Sequence, residues 1–248
     1  IKVQYPGVRD SIDSDIDNIA ALLRVSGMVP RGMDLSPMLE DARRQLHEEA
    51  DYLSEARNLT DFGQRLSGSQ DFILPALHPD LTTPKVLAMT YVESAPLDAL
   101  LEAPQAQRDQ AAARLIELVL RELFVFRTMQ TDPNLANYRH DPVTGQIVLL
   151  DFGAVTRLDP AQTDSFRCLL NAALDRNRPA TEAAMLRIGY FDTTTQPHHR
   201  DLILQMFDLA MTPLRQPEPF DFGTSDLVAQ LRDMGLALGR DRDLAHVP

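Results

Sequence analysis

Asp132 and Asn137 are separated by four residues, and Asp151-Phe152-Gly153 follows fourteen positions after that asparagine, directly behind the apolar stretch Ile147 to Leu150. This set of residue types at this spacing suits phosphoryl transfer. The β and γ phosphates of a nucleotide carry charge that metal ions must neutralise, and an asparagine and an aspartate on two adjacent loops can hold those ions. A separate aspartate, here Asp132, can lie beside the attacking hydroxyl and accept or orient its proton. The same chemistry needs a strand lysine against the phosphates and a helix carboxylate to position it. Lys2 lies on the strand Ile1 to Tyr5, and Glu49 fills the gap in an apolar stripe formed by Leu39, Ala42, Leu46, Leu53 and Ala56.

Each of these residues also has a plainer reading. Asp-Phe-Gly occurs three times, at 61–63, 151–153 and 221–223, so the tripeptide alone carries no weight. Only the copy at 151 has a strand before it and the Asp132/Asn137 pair upstream. Asp-Pro and Asn also favour turns, and it is the distance to Asp151 that turns the balance. A carboxylate on an apolar stripe is costly unless paired, and the plainer reading of Glu49 is a helix-surface glutamate beside Glu48, with the stripe set one residue wrong. A terminal-strand lysine is by itself usually solvent-exposed. His47, His78, His140, His198, His199 and His246 show no metal-ligand spacing and read as surface or turn residues.

The elements that would position these groups follow from periodicity and breakers. Pro6-Gly7 ends the first strand. Ser11 to Leu23 is weakly helical. Ser36, as N-cap with Pro37 at the first position, opens one long helix running past Ala56. Phe72 to Leu77 and Val86 to Val92 read as strands. Glu93 to Pro96 is a break, placing a boundary between 1–93 and 94–248. Beyond it Gln105 to Met129 reads as one buried helix. Pro160 to Asp175 is capped by Asp159, and helices follow over Ala180 to Ile188, His199 to Met211 and Ser225 to Leu238. The order is that of an α+β protein in two lobes.

The 248 residues suffice for such a domain, and the 44% hydrophobic content suffices for its core. A net charge of −12 argues against non-specific nucleic-acid binding, which draws on Lys and Arg against phosphates. There is no apolar run of the roughly 18 residues that suggests a membrane span. Cys168 is the single cysteine, which excludes an intrachain disulfide, and it reads as core filling. Ile1 begins inside a strand and Ala245 to Pro248 carry no stop signal, so the chain is expected to be part of a longer protein.

Several motifs together resemble the UbiB/ADCK family of atypical kinases. Lys2-Val-Gln-Tyr-Pro-Gly-Val8 is similar to its K-[VI]-Q-Y-P-G-V signature, and Glu49-Ala-Asp51 to its E-x-D motif. Arg121 to Phe124 and Met129 to Asn134 resemble the approach to and start of its catalytic loop. Leu149 to Ala154 resembles its metal-binding motif, and Pro219 to Thr224 a later segment. The resemblance implies a protein-kinase-like fold, with an N-lobe of strands and a long helix, lacking its first strands, and a mostly helical C-lobe. It implies ATP and Mg2+ as ligands. Lys2 would contact the phosphates and pair with Glu49, and Asp132 would be the catalytic-loop aspartate. Asn137 and Asp151 would hold magnesium, Tyr91 and Val92 would bind adenine through their backbone, and Asp51 would contact an additional N-terminal segment. The family's alanine-rich nucleotide loop and K-x-G-Q segment have no counterpart in these 248 residues.

The short step from Asp151 to the helix cap Asp159 leaves no room for a long activation loop, and no Ala-Pro-Glu follows. The resemblance therefore implies an ATPase or small-molecule kinase supporting ubiquinone (isoprenoid quinone) biosynthesis. Its partners would be nucleotide and quinone-biosynthesis proteins or lipids at a membrane surface. It would be cytoplasmic, peripheral at the inner membrane of a bacterium, or in the mitochondrial matrix of a eukaryote. Two other readings stay open: a small-molecule phosphotransferase of the antibiotic-kinase type, and a non-catalytic nucleotide-sensing module.

Overall fold

A computed structural model describes residues 1–26, 35–132 and 134–240. His246 and the Ala245 to Pro248 segment lie outside them, as does Pro133. In chain order the elements are β1 (Lys2–Val3), α1 (Val8–Ser26), α2 (Ser36–Glu49), α3 (Tyr52–Arg65), β2 (Phe72–Ile73), β3 (Val86–Leu87), β4 (Ala95–Pro96) and α4 (Gln105–Arg121). They continue with β5 (Thr128–Gln130), β6 (Tyr138–His140), β7 (Ile147–Leu149), β8 (Val155–Arg157), α5 (Pro160–Leu174), α6 (Arg178–Ile188), α7 (Pro197–Ala210), α8 (Thr212–Arg215) and α9 (Leu227–Arg240). The chain divides into compact units 1–158 and 159–248. The boundary expected at 93/94 falls inside the first unit.

In the first unit β1 pairs antiparallel with β3, Lys2 opposite Leu87. A four-stranded sheet runs β2-β7-β6-β4, with β2 and β7 parallel and the other pairs antiparallel. The hairpin-like pair β5/β8 sets Gln130 opposite Val155. The core gathers Leu59, Phe62, Leu66, Phe72, Leu118, Phe126, Ile147, Leu149 and Phe152. Removing side chains of this size from water stabilises by about 1.5–3 kcal/mol each. In the second unit Leu169, Ala184, Met185, Phe191 and Leu204 form a separate core. Asp159 caps α5 through a complete capping box with Gln162, as its sequence suggests.

The long helix expected from Ser36 through Ala56 is two helices. α2 ends at Glu49, Ala50 is its C-cap, and Asp51 restarts the chain as N-cap of α3 by accepting the Ser54 N–H at 3.0 Å. The periodicity continues across the break, so the sequence pattern hides it. Ser36 is already the first helical residue, with Leu35 in the N-cap position. The helix expected to reach Met129 also ends early. A π-helical turn, Glu122–Phe126, follows α4, Arg127 adopts φ 52°, and Met129 lies in β5. Cys168 is exposed rather than core, and His140 and His199 are buried rather than superficial.

Candidate nucleotide site

Lys2 reaches its site because β1 is fixed at several points. Its pairing with β3 sets the strand direction, Gln4 N–H donates to the Lys85 carbonyl at 2.9 Å, and Gln4 Nε2 donates to the Ala50 carbonyl at 2.9 Å. The last contact ties the strand to the break between α2 and α3. From there Lys2 Nζ donates to both oxygens of Glu55, at 2.9 and 3.0 Å, and to Asp151 Oδ2 at 3.2 Å. It also lies 5.4 Å from the centre of the Tyr52 ring.

The carboxylate that pairs with Lys2 is therefore Glu55, not Glu49. Glu55 is 1% exposed, on the inward face that α3 builds from Tyr52, Ala56, Leu59 and Phe62. Those four residues could have revealed it in the sequence, had the stripe been restarted at Asp51. Glu49 sits on the last turn of α2, exposed. Partial burial raises its pKa first, and the negative charges of Asp132 and Asp151 raise it further. For Lys2, burial works against the charge, but Glu55 and Asp151 outweigh it and lift the pKa above the ordinary lysine value. Burial likewise pushes Glu55 up, with Lys2 pulling it back.

The loop carrying Asp132 and Asn137 is clasped at both ends against the segment carrying Asp151. Thr131 N–H donates to the Ala154 carbonyl at 3.0 Å, and Leu150 N–H donates to the Asn137 carbonyl at 3.2 Å. Within the loop, Asn137 Nδ2 donates to Asp132 Oδ2 at 2.7 Å and Asn134 N–H to Asp132 Oδ1 at 3.2 Å. Asp151 Oδ1 accepts the Gly153 N–H at 2.9 Å. Phe152 is buried beside Phe62, ring centres 5.0 Å apart, and Asn58 Nδ2 donates to its carbonyl at 2.9 Å. A Cβ on Gly153 would stand 3.3 Å from Asp151 Oδ1 and 3.9 Å from Glu55 Oε2, so the turn is closed tightly around the lysine's partners.

Lys2, Tyr91, Val92, Asn137 and Asp151 line one cleft of about 550 Å³, with Met89 and Leu150 as apolar wall. Asp132 and Glu49 stand beside it, Asp132 hydrogen-bonded to Asn137 and Glu49 within electrostatic reach of Asp151. Asp51 faces its own helix as a cap. Of the other two Asp-Phe-Gly copies, the one at 61 lies inside α3, where Asp61 pairs with Arg65 at 3.0 Å. The one at 221 makes the same aspartate-to-glycine turn as Asp151, at 2.8 Å, but in the second unit.

Asn137 and Asp151 offer hard oxygen donors, which is what magnesium takes when it keeps several waters and substrate phosphates as its remaining ligands. Among the described residues there is no cluster of three or more His, Cys, Asp or Glu able to hold a metal alone. The Asn137 and Asp151 oxygens fit an ion that completes its coordination with waters and phosphate oxygens. Residues 1–185 match the model of the ABC1 atypical kinase-like domain. The chain belongs to this family. The resemblance to the UbiB/ADCK atypical kinases is borne out with it. Among curated relatives, the mitochondrial atypical kinase coq-8 of Caenorhabditis elegans is 35% identical over 94% of this chain and 32% of its own length. The mitochondrial atypical kinase COQ8 of Schizosaccharomyces pombe is 35% identical over 94% and 38%. That of Saccharomyces cerevisiae is 32% identical over 96% and 48%. The chain thus spans about a third to a half of these relatives. Among solved structures, the Rv3197–erythromycin complex from Mycobacterium tuberculosis matches with a TM-score of 0.59. It covers 96% of this chain and 65% of that one at 19% identity, which shows the shared α+β kinase-like fold. No described helix is long and apolar enough to cross a membrane.

Proposed function

We propose that this chain forms the ATP- and magnesium-binding part of an atypical kinase or ATPase that supports isoprenoid quinone biosynthesis. The observation that carries the reading is Lys2, held between Glu55 and Asp151 at the mouth of a cleft that Asn137 also lines. Lys2 would meet the nucleotide phosphates, with Glu55 fixing its ammonium. Asn137 and Asp151 would hold magnesium, which neutralises phosphate charge when bound. Asp132, oriented by Asn137 and Asn134, would accept or direct the proton of the attacking group. The backbone at Tyr91 and Val92 would take the adenine edge. The mitochondrial atypical kinases among the relatives support the link to quinone synthesis. In this reading the protein acts in the mitochondrial matrix or its bacterial cytoplasmic equivalent, at a membrane surface with biosynthetic proteins or lipids as partners, and of this the relatives support only the mitochondrial compartment. The short segment between Asp151 and the Asp159 cap supports a small-molecule acceptor or water over a peptide.

The test is a thermal shift of the full-length protein with Mg-ATP and Mg-ADP beside Asp151→Asn. Ligand at 100 times its Kd adds about 2.7 kcal/mol of apparent stability. A rise in Tm that the variant loses supports the reading. No rise in the wild type at millimolar nucleotide overturns it.

A further inference from the structure

The buried carboxylate of Glu122 has no place in the site described above. It is 2% exposed, and among the described residues no lysine or arginine forms an ion pair with it. Both of its oxygens are used by a single residue: Oε2 accepts the backbone N–H of Gln130 at 3.0 Å, and Oε1 accepts Gln130 Nε2 at 2.9 Å. Burial lifts its pKa to about 7, and the two Gln130 bonds only partly offset this. A carboxylate kept at such a cost and directed wholly at one residue is doing something that an apolar side chain would not.

Gln130 is where the loop begins. It is the last residue of β5, opposite Val155, and Thr131 and Asp132 follow it. The far end of the loop is held by the Leu150-to-Asn137 bond. At the near end the β5/β8 ladder holds the backbone from one side, and Glu122 holds both the backbone and the side chain of Gln130 from the other. The π-helical turn delivers it, since Glu122 is the first residue of the turn and lies buried where α4 meets β5. Such turns occur often at functional sites. The Tyr138 phenol, at the start of β6, is influenced by both Glu122 and Asp132. We infer that Glu122 is a positioning residue that fixes the 131–137 loop, and through it the carboxylate of Asp132, by gripping Gln130.

The inference rests on the proposed nucleotide site for its consequence but not for its geometry, so the experiment has two arms on the full-length protein. Wild type is compared with Glu122→Gln, which keeps the shape of the side chain, and with Glu122→Leu, which removes both acceptors. Amide hydrogen exchange without nucleotide should show residues 130–132 and 134–137 exchanging at least about tenfold faster in Glu122→Leu, and measurably faster in Glu122→Gln, with 105–121 unchanged. Steady-state nucleotide hydrolysis should show kcat falling about tenfold or more in both variants, with the affinity for Mg-nucleotide within about twofold of wild type. Unchanged loop exchange in a folded Glu122→Gln overturns the inference whatever the hydrolysis shows. Faster exchange with unchanged kcat also overturns it. A wild type that neither binds nor hydrolyses nucleotide fails the functional proposal instead, and the exchange arm still decides whether Glu122 holds the loop.

Discussion

Lys2 Nζ bridges Glu55 of α3 and Asp151 of the Asp-Phe-Gly turn, 2.9 Å from one carboxylate and 3.2 Å from the other. The two acids differ in their need for it. Asp151 is about one-third exposed and can turn to solvent, whereas Glu55 is 1% exposed and cannot. Breaking a buried pair costs about 3–5 kcal/mol when the remaining charge is stranded. Lys2 is itself 38% exposed, so solvent screening brings the expected cost of Lys2→Met down to about 1–3 kcal/mol. Glu55→Gln should cost less, because it removes the buried charge and leaves Lys2 with Asp151. Urea unfolding of the two variants and of the double variant measures this. A Lys2→Met variant as stable as wild type would show that the pair does not operate in solution.

How far the sequence reveals the site follows from this pair. Asp132, Asn137, Asp151 and Lys2 are local in character, recognisable from spacing and a neighbouring strand, and the structure brings Lys2, Asn137 and Asp151 to one cleft. Glu55 was hidden because its identification depends on where one helix stops. Leu46, Leu53 and Ala56 keep step across Ala50, yet in the structure Leu46 and Leu53 are exposed and the buried face begins afresh at Tyr52. Only the capping role of Asp51 marks the restart, and an aspartate beside two glutamates is a weak signal. Glu122 was hidden for a different reason. A π-helical turn has no pattern of its own, and the apolar residues around Glu122 read as continuous helix. The same weakness applies to His140, which sits on a central sheet strand although its type suggests a turn.

Asp51 offers a direct test of that restart. As N-cap of α3 it satisfies the Ser54 N–H, and loss of such a cap costs about 1 kcal/mol. Asp51→Ala should lower stability by about that amount in chemical denaturation, and Asp51→Ser should recover most of it. Because the cap fixes the turn that carries Glu55, Asp51→Ala should also weaken Mg-nucleotide binding, measured by thermal shift, by less than Asp151→Asn does. A variant with unaltered stability would argue that α2 and α3 are not separated by this cap.

The three Asp-Phe-Gly copies give an internal control. Asp151 and Asp221 make the same turn to the glycine N–H, at 2.9 and 2.8 Å. Only Asp151 receives a lysine and lines the cleft with Asn137. Asp221→Asn and Asp61→Asn should therefore keep the nucleotide-induced rise in Tm, and Asp151→Asn should lose it. A loss of the rise in Asp221→Asn at unchanged starting Tm would mean that the tripeptide, rather than its setting, governs binding.

Glu122 makes stability and function separable. Its carboxyl has an ordinary pKa of 4.5 and is raised to about 7 in the folded protein, burial being the larger influence and the Gln130 bonds opposing it. Between those values the folded state holds the proton more tightly than the unfolded chain, so this group's contribution to stability declines as pH rises through the window and levels off above it. The full difference corresponds to about 3 kcal/mol. Gln at this position has no charge to bury, so Glu122→Gln should gain stability over wild type by about 2 kcal/mol on going from pH 5.5 to pH 8. Other titrating groups are shared by the two proteins and cancel in the comparison. Urea midpoints at the two pH values measure it, and a constant difference would mean that Glu122 is not titrating in a buried setting. If the gain is found together with faster loop exchange and lower kcat, the protein carries a charge that weakens its fold in order to hold the Asp132 loop, a trade of stability for activity seen where a site is built on a costly group.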